Sequence, residues 1–116
     1  MEKVSLQIPN KAEYLSSLRL LVSGLLTNHS VDIETMEDLK IAITEGCNIA
    51  LELNCKDEID IEFIFDEGNL KIEIGHICEK DINEREELYL STTIIDCLVD
   101  SSHIEKDRLY LEKNLK

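Results

Sequence analysis

Residues 38–53 read DLKIAITEGCNIALEL, and the spacing inside that stretch decides how the rest of the chain is organised. Leu39, Ala42, Ile43, Gly46, Cys47 and Ala50 recur at intervals of three and four, with Met36 before them and Leu53 after. That is the period of one helix face turned towards a core. Asp32 or Glu34 supplies a start signal, and Asn54 to Asp57 supply a stop. Glu45 falls off the apolar face, yet Ile41 and Ile49 flank it at i−4 and i+4. Apolar neighbours are unusual around a carboxylate on a water-facing surface.

Working outward, VSLQIP alternates and halts at Pro9, as an opening strand does, and Asn10 can cap the helix after it. Tyr14, Leu15, Leu18, Leu21, Val22 and Leu25 mark a first helix from Ala12 to about Leu26, broken by Thr27 to Ser30. After the second helix, EIDIEFIF and LKIEIGHI alternate on either side of DEGN, a tight-turn signal, and predict an antiparallel hairpin. A charged connection over Glu79 to Glu87 leads to a third helix ending near Val99. Two short strands complete the chain, near Ser102 to Glu105 and Arg108 to Lys113. The order β-α-α-β-β-α-β-β predicts an α+β fold of two layers, a mixed and largely antiparallel sheet with helices on one face.

Composition narrows the function classes. A chain of 116 residues with 43% apolar residues can bury a core as one domain, residues 1–116. The formal net charge of −13 repels a phosphate backbone and an anionic membrane alike, so neither nucleic acid nor membrane is an expected partner. The longest uncharged run, Leu20 to Val31, is too short and polar to span a bilayer, and the N-terminus lacks an apolar signal segment. A cytoplasmic protein is expected. Cys47, Cys55, Cys78 and Cys97 form no C-x-x-C pair, and buried reduced thiols are the expected state, with zinc or a disulfide as alternatives.

Two stretches, IPNKAEYLSSLRLLVSGLL and EDLKIAITEGCNIAL, resemble the anti-sigma-factor serine kinases of the GHKL (Bergerat-fold) ATPase superfamily. The first carries that family's R-L-x-x-S-G pattern at Arg19 to Gly24. The resemblance implies a histidine-kinase-like ATPase fold in which Glu45 stands at the general-base position. It places Ile49 where an asparagine holds Mg²⁺, and an apolar side chain is no metal ligand. It also places His76 at the adenine-contacting aspartate and Cys78 at the glycine of a D-x-G motif. Tyr89 to Ser91 take the place of a phosphate-cradling G-x-G, without a glycine. The lid between the two glycine motifs shrinks to the acidic EKDINEREE, whose charges oppose a triphosphate.

Glu45 is therefore expected to be a vestigial base or a plain solvated helix residue, and its apolar flanks to mark a pocket filled in beneath the third helix. An apolar groove or a protein interface are the other two explanations of those flanks. No cofactor and no metal are expected, with ATP and Mg²⁺ as the one alternative. The family implies a protein partner, a sigma factor or an anti-sigma antagonist, recognised through the first helix and Arg19, together with a homodimer. The expected function is a non-catalytic anti-sigma-type regulator; the alternative is an ATP-dependent serine protein kinase with an atypical nucleotide site.

Overall fold

The computed structural model describes residues 1–78 and 85–116. Strand β1 (Glu2–Pro9) leads through a 3₁₀ turn (Ala12–Tyr14) into α1 (Leu15–Thr27) and then α2 (Ile33–Leu53). Strands β2 (Glu58–Asp66) and β3 (Asn69–Gly75) come next, then α3 (Glu86–Leu98), β4 (Ser101–Glu105) and β5 (Arg108–Asn114). The strands form one sheet in the order β1-β2-β3-β5-β4. All four pairings are antiparallel, so the sheet contains no parallel pair among the described residues.

Local chemistry fixes the element ends. Asp32 caps α2 by accepting a 2.7 Å hydrogen bond from the Thr35 backbone N–H, satisfying one of the orphan donors of the first turn. That bond holds the Asp32 carboxyl below its usual pKa. At the other end Asn54 adopts the left-handed conformation (φ 50°, ψ 47°) that ends a helix without a glycine. The β2–β3 turn places Glu67 and Gly68 at φ 50° and 83°, the pair of positive angles that matches the twist of a two-residue hairpin.

Sequence alternation becomes the two faces of the sheet. Ile59, Ile61, Phe63 and Phe65 of β2 and Leu70, Ile72 and Ile74 of β3 are buried, and Leu109 and Leu111 of β5 join them. Against them lie Leu15, Leu18, Val22 and Leu26 of α1 and Leu39, Ala42, Ile43, Cys47 and Ala50 of α2. A Cβ added at Gly46 would stand 2.5 Å from Ile74 Cδ1, so the glycine lets α2 lie close on β3. The opposite face, with Lys71, Glu73, Tyr110 and Glu112 in register, carries polar side chains. No helix of the described residues is long and apolar enough to cross a membrane.

Two local expectations are corrected. Asn10 caps no helix: its Nδ2 donates to the carbonyl of Lys56 at 2.9 Å, and its backbone N–H to that of Asp57 at 2.8 Å. It ties the end of β1 to the α2–β2 connection instead. Nor are the cysteines uniformly reduced and buried. Cys55 and Cys78 form a disulfide with Cα atoms 5.9 Å apart, while Cys47 is a buried free thiol and Cys97 an exposed one. The β2–β3 hairpin returns the chain to the end of α2, bringing together two residues that share no local motif.

Candidate functional site

Glu45 and Ile49 lie on α2 and Ser91 on α3, where the two helices meet. Along α2, Glu52 and Glu45 are met in turn by Arg85 and Ser91 of the α3 segment. One helix is descended as the other is climbed, so the two run antiparallel. Leu88, Ser91 and Ile95 form the buried stripe of α3. Ile49, one turn beyond Glu45, is 0% exposed. Counted against the sheet alone, Ile49 lies off the core face of α2; α3 gives it a second surface to pack on.

Glu45 is half-buried, and its Oε2 accepts a 2.9 Å hydrogen bond from Ser91 Oγ. Ser91 is itself 8% exposed. The Glu45 carboxylate thus spends an oxygen on an internal donor contributed by α3. Tyr89 and Leu90, beside Ser91, point outward and are exposed. Sequence reasoning did not pair Ser91 with Glu45, because the contact depends on how α3 crosses α2.

The segment after β3 is fastened residue by residue. Gly75 pairs with both Asp60 and Arg108 across the sheet. His76, 7% exposed, has Nδ1 2.8 Å from Asp107 Oδ2 and Nε2 2.9 Å from Asp60 Oδ2. Carboxylates only accept, so a ring carrying both protons satisfies both contacts. Its bond holds the Asp107 carboxyl below the usual range, with Arg108 adding to the effect. Ile77 donates its N–H to the Asp107 carbonyl at 2.8 Å, and Cys78 is closed into the disulfide. Both ring nitrogens of His76 are thus engaged within the protein. Asp60 was findable, since the turn at Glu67-Gly68 sets the register that puts it opposite Gly75; Asp107 gave no such signal.

No family model matches the chain. A serine-protein kinase RsbW from Bacillus cereus (strain ATCC 10987 / NRS 248) is 30% identical over 126 aligned positions, covering 91% of this chain and 79% of that protein. The chain belongs to the RsbW family. RsbW of Bacillus thuringiensis (strain Al Hakam) is 28% identical over the same shares of both chains. RsbW of Bacillus mycoides (strain KBAB4) is 36% identical over 77 positions, 64% of this chain and 48% of that one. The crystal structure of the RsbU and RsbW domains of Rv1364c from Mycobacterium tuberculosis superposes with a TM-score of 0.74 at 12% identity, covering 97% of this chain. The chain spans 32% of that larger protein, and the likeness is one of fold.

The outward side of α1 pairs a charge with apolar area. Arg19 is exposed and makes no ion pair among the described residues. Leu20, next to it, is 77% exposed. The shortened lid expected over 79–87 falls partly outside the described residues, which resume at Arg85, the residue before the first turn of α3.

Proposed function

We propose that this RsbW relative is an anti-sigma-type regulator that works by binding a protein partner, a sigma factor or an anti-sigma antagonist, and does not turn over ATP. The observation that carries this reading is Ile49, fully buried on α2 one turn from a Glu45 already bonded to Ser91 of α3. A base without a metal ligand one turn away has nothing to activate, since phosphoryl transfer depends on a cation to gather the phosphates. His76 and Cys78, at the adenine-contacting positions, are committed to Asp60, Asp107 and Cys55.

The same reading gives α1 the partner-binding role. An unpaired guanidinium beside an exposed leucine offers the charged-and-apolar combination that interface anchors favour. It stands out on a chain of net charge −13. We further propose a homodimer built on β1 and α1, and a cytoplasmic setting.

Pull-down from native extract is expected to recover a sigma factor or an antagonist, and Arg19→Glu to weaken that capture by roughly 30-fold, the scale of an interface hot spot. Undiminished capture by the Arg19→Glu chain would remove α1 from the interface. The relatives are named serine-protein kinases, and the second reading is an ATP-dependent kinase with an atypical nucleotide site. Calorimetry with ATP and Mg²⁺ decides between the two: a saturable, Mg²⁺-dependent heat would establish a nucleotide site and overturn the non-catalytic reading.

A further inference from the structure

We propose that Cys55 and Cys78 form a thiol–disulfide switch that sets how firmly α3 is held on α2. The bond is placed for this. Cys55 lies just past the end of α2, and Cys78 is the last described residue before the α3 segment resumes at Arg85. On the far side of the interval, the Arg85 guanidinium lies 3.5 Å from Glu52, three residues before Cys55. Both approaches to α3 are therefore fastened to the same end of α2, one covalently and one ionically.

The ionic fastening is the weaker. Arg85 and Glu52 have side chains 36% and 50% exposed, and ion pairs in such water-rich settings contribute little. Removing the covalent link leaves that end of α2 joined to the approach to α3 by non-covalent contacts, the Arg85–Glu52 pair and the burial of Leu88 and Ser91 among them. The pair also lies at the surface: Cys78 is exposed and Cys55 half-buried. By contrast Cys47 is sealed in the core, where burial pushes its thiol up to about 12.

The exchange is an ordinary two-electron one. A thiolate of a dithiol reductant attacks Cys78 Sγ, and the Cys55 thiolate leaves and takes a proton. The second thiol of the reductant then attacks the mixed disulfide, releasing Cys78 as a thiol. The protein gains two electrons and two protons, and the reductant ends as its own disulfide. A disulfide oxidant runs the sequence in reverse. A reducing compartment would keep the pair open until an oxidant arrives.

The test compares the purified full chain after equilibration with oxidised glutathione or with dithiothreitol. Alkylation of the folded protein is expected to leave Cys55 and Cys78 unlabelled in the first case, with Cys97 capped by glutathione, and to label Cys55, Cys78 and Cys97 in the second. Tryptic peptides 41–56 and 72–80 should be joined through Cys55 only in the oxidised sample. Amide hydrogen exchange over α3 is expected to speed up about tenfold on reduction, the signature of a loosened local unit. Cys55→Ser should show the faster rates in both buffers and no response to dithiothreitol. The proposal is overturned if oxidised glutathione leaves Cys55 and Cys78 open to alkylation, or if exchange over α3 agrees within about twofold between the two states.

Discussion

Replacing Ile49 by asparagine supplies the side chain that the ATPase resemblance calls for at the metal position, and the packing predicts that it damages the fold instead. Ile49 is 0% exposed, so its whole side chain is withdrawn from water between α2 and α3. Truncating such a residue to alanine costs about 2–5 kcal/mol. Asparagine refills part of the space but brings in a buried amide, and an unpartnered one costs about 1–3 kcal/mol. Taking the lower half of each range gives a loss of about 4 kcal/mol, against a total stability of about 5–15 kcal/mol for a domain. With a urea m-value of about 2 kcal/mol per molar, the unfolding midpoint monitored by far-UV circular dichroism should drop by about 2 M. Ile49→Val, which only trims a methylene, should cost about 1 kcal/mol. If Ile49→Asn loses under about 1 kcal/mol and gains a Mg²⁺-dependent ATP heat, position 49 faces a nucleotide cavity and its burial between the helices is refuted.

Three further outcomes rest on single contacts. Ser91→Ala should cost about 1–2 kcal/mol in urea unfolding by stranding the half-buried Glu45 carboxylate; no change in midpoint would mean that water replaces the serine freely. Gly46→Ala should lose about 1–3 kcal/mol against Ile74 and Leu109, whereas Gly24→Ala, with nothing within 4 Å of the new methyl, should stabilise α1 by up to about 1 kcal/mol. Because the folded Asp107 carboxyl is held below its unfolded value by His76, its contribution is complete above the unfolded carboxylate range near pH 4 and is lost as pH falls through the lower folded value. Acid titration of Asp107→Asn should accordingly show a shallower loss of stability in that window than the parent chain, and superimposable curves would contradict the assignment.

The parts of this molecule that are legible in its letters are those set by near neighbours. Asp32 and Asn54 bound α2 through their own backbone chemistry, and DEGN sets a hairpin register that carries to its open end. The alternation of β2 and β3 names their buried face residue by residue. The candidate site is less legible because most of it arises between distant elements. Helical periodicity assumes one packing surface, and Ile49 is buried by a second one, so counting on α2 alone leaves it off the core face. The His76 clamp needs the β4–β5 turn to deliver Asp107, and the disulfide needs the hairpin to return Cys78 to the end of α2. Neither encounter has a signature within reach of a local window.

The strand order has a consequence for how the chain assembles. β2 with β3 and β4 with β5 are hairpins closed by two-residue turns, but β1 pairs Pro9 with Glu58 and Glu2 with Phe65. Its partner is thus about fifty residues away, and closing so long a loop carries an entropy cost that short hairpins avoid. The first strand synthesised must wait for both helices and β2 before it has an edge to join. If β1 docks after the rate-limiting step, truncating Val4 or Leu6 should accelerate unfolding and leave refolding unchanged, and slowed refolding would place β1 in the nucleus. The amino-terminal strand is thus joined to the sheet by its longest closure, and β3 with β5 by the next.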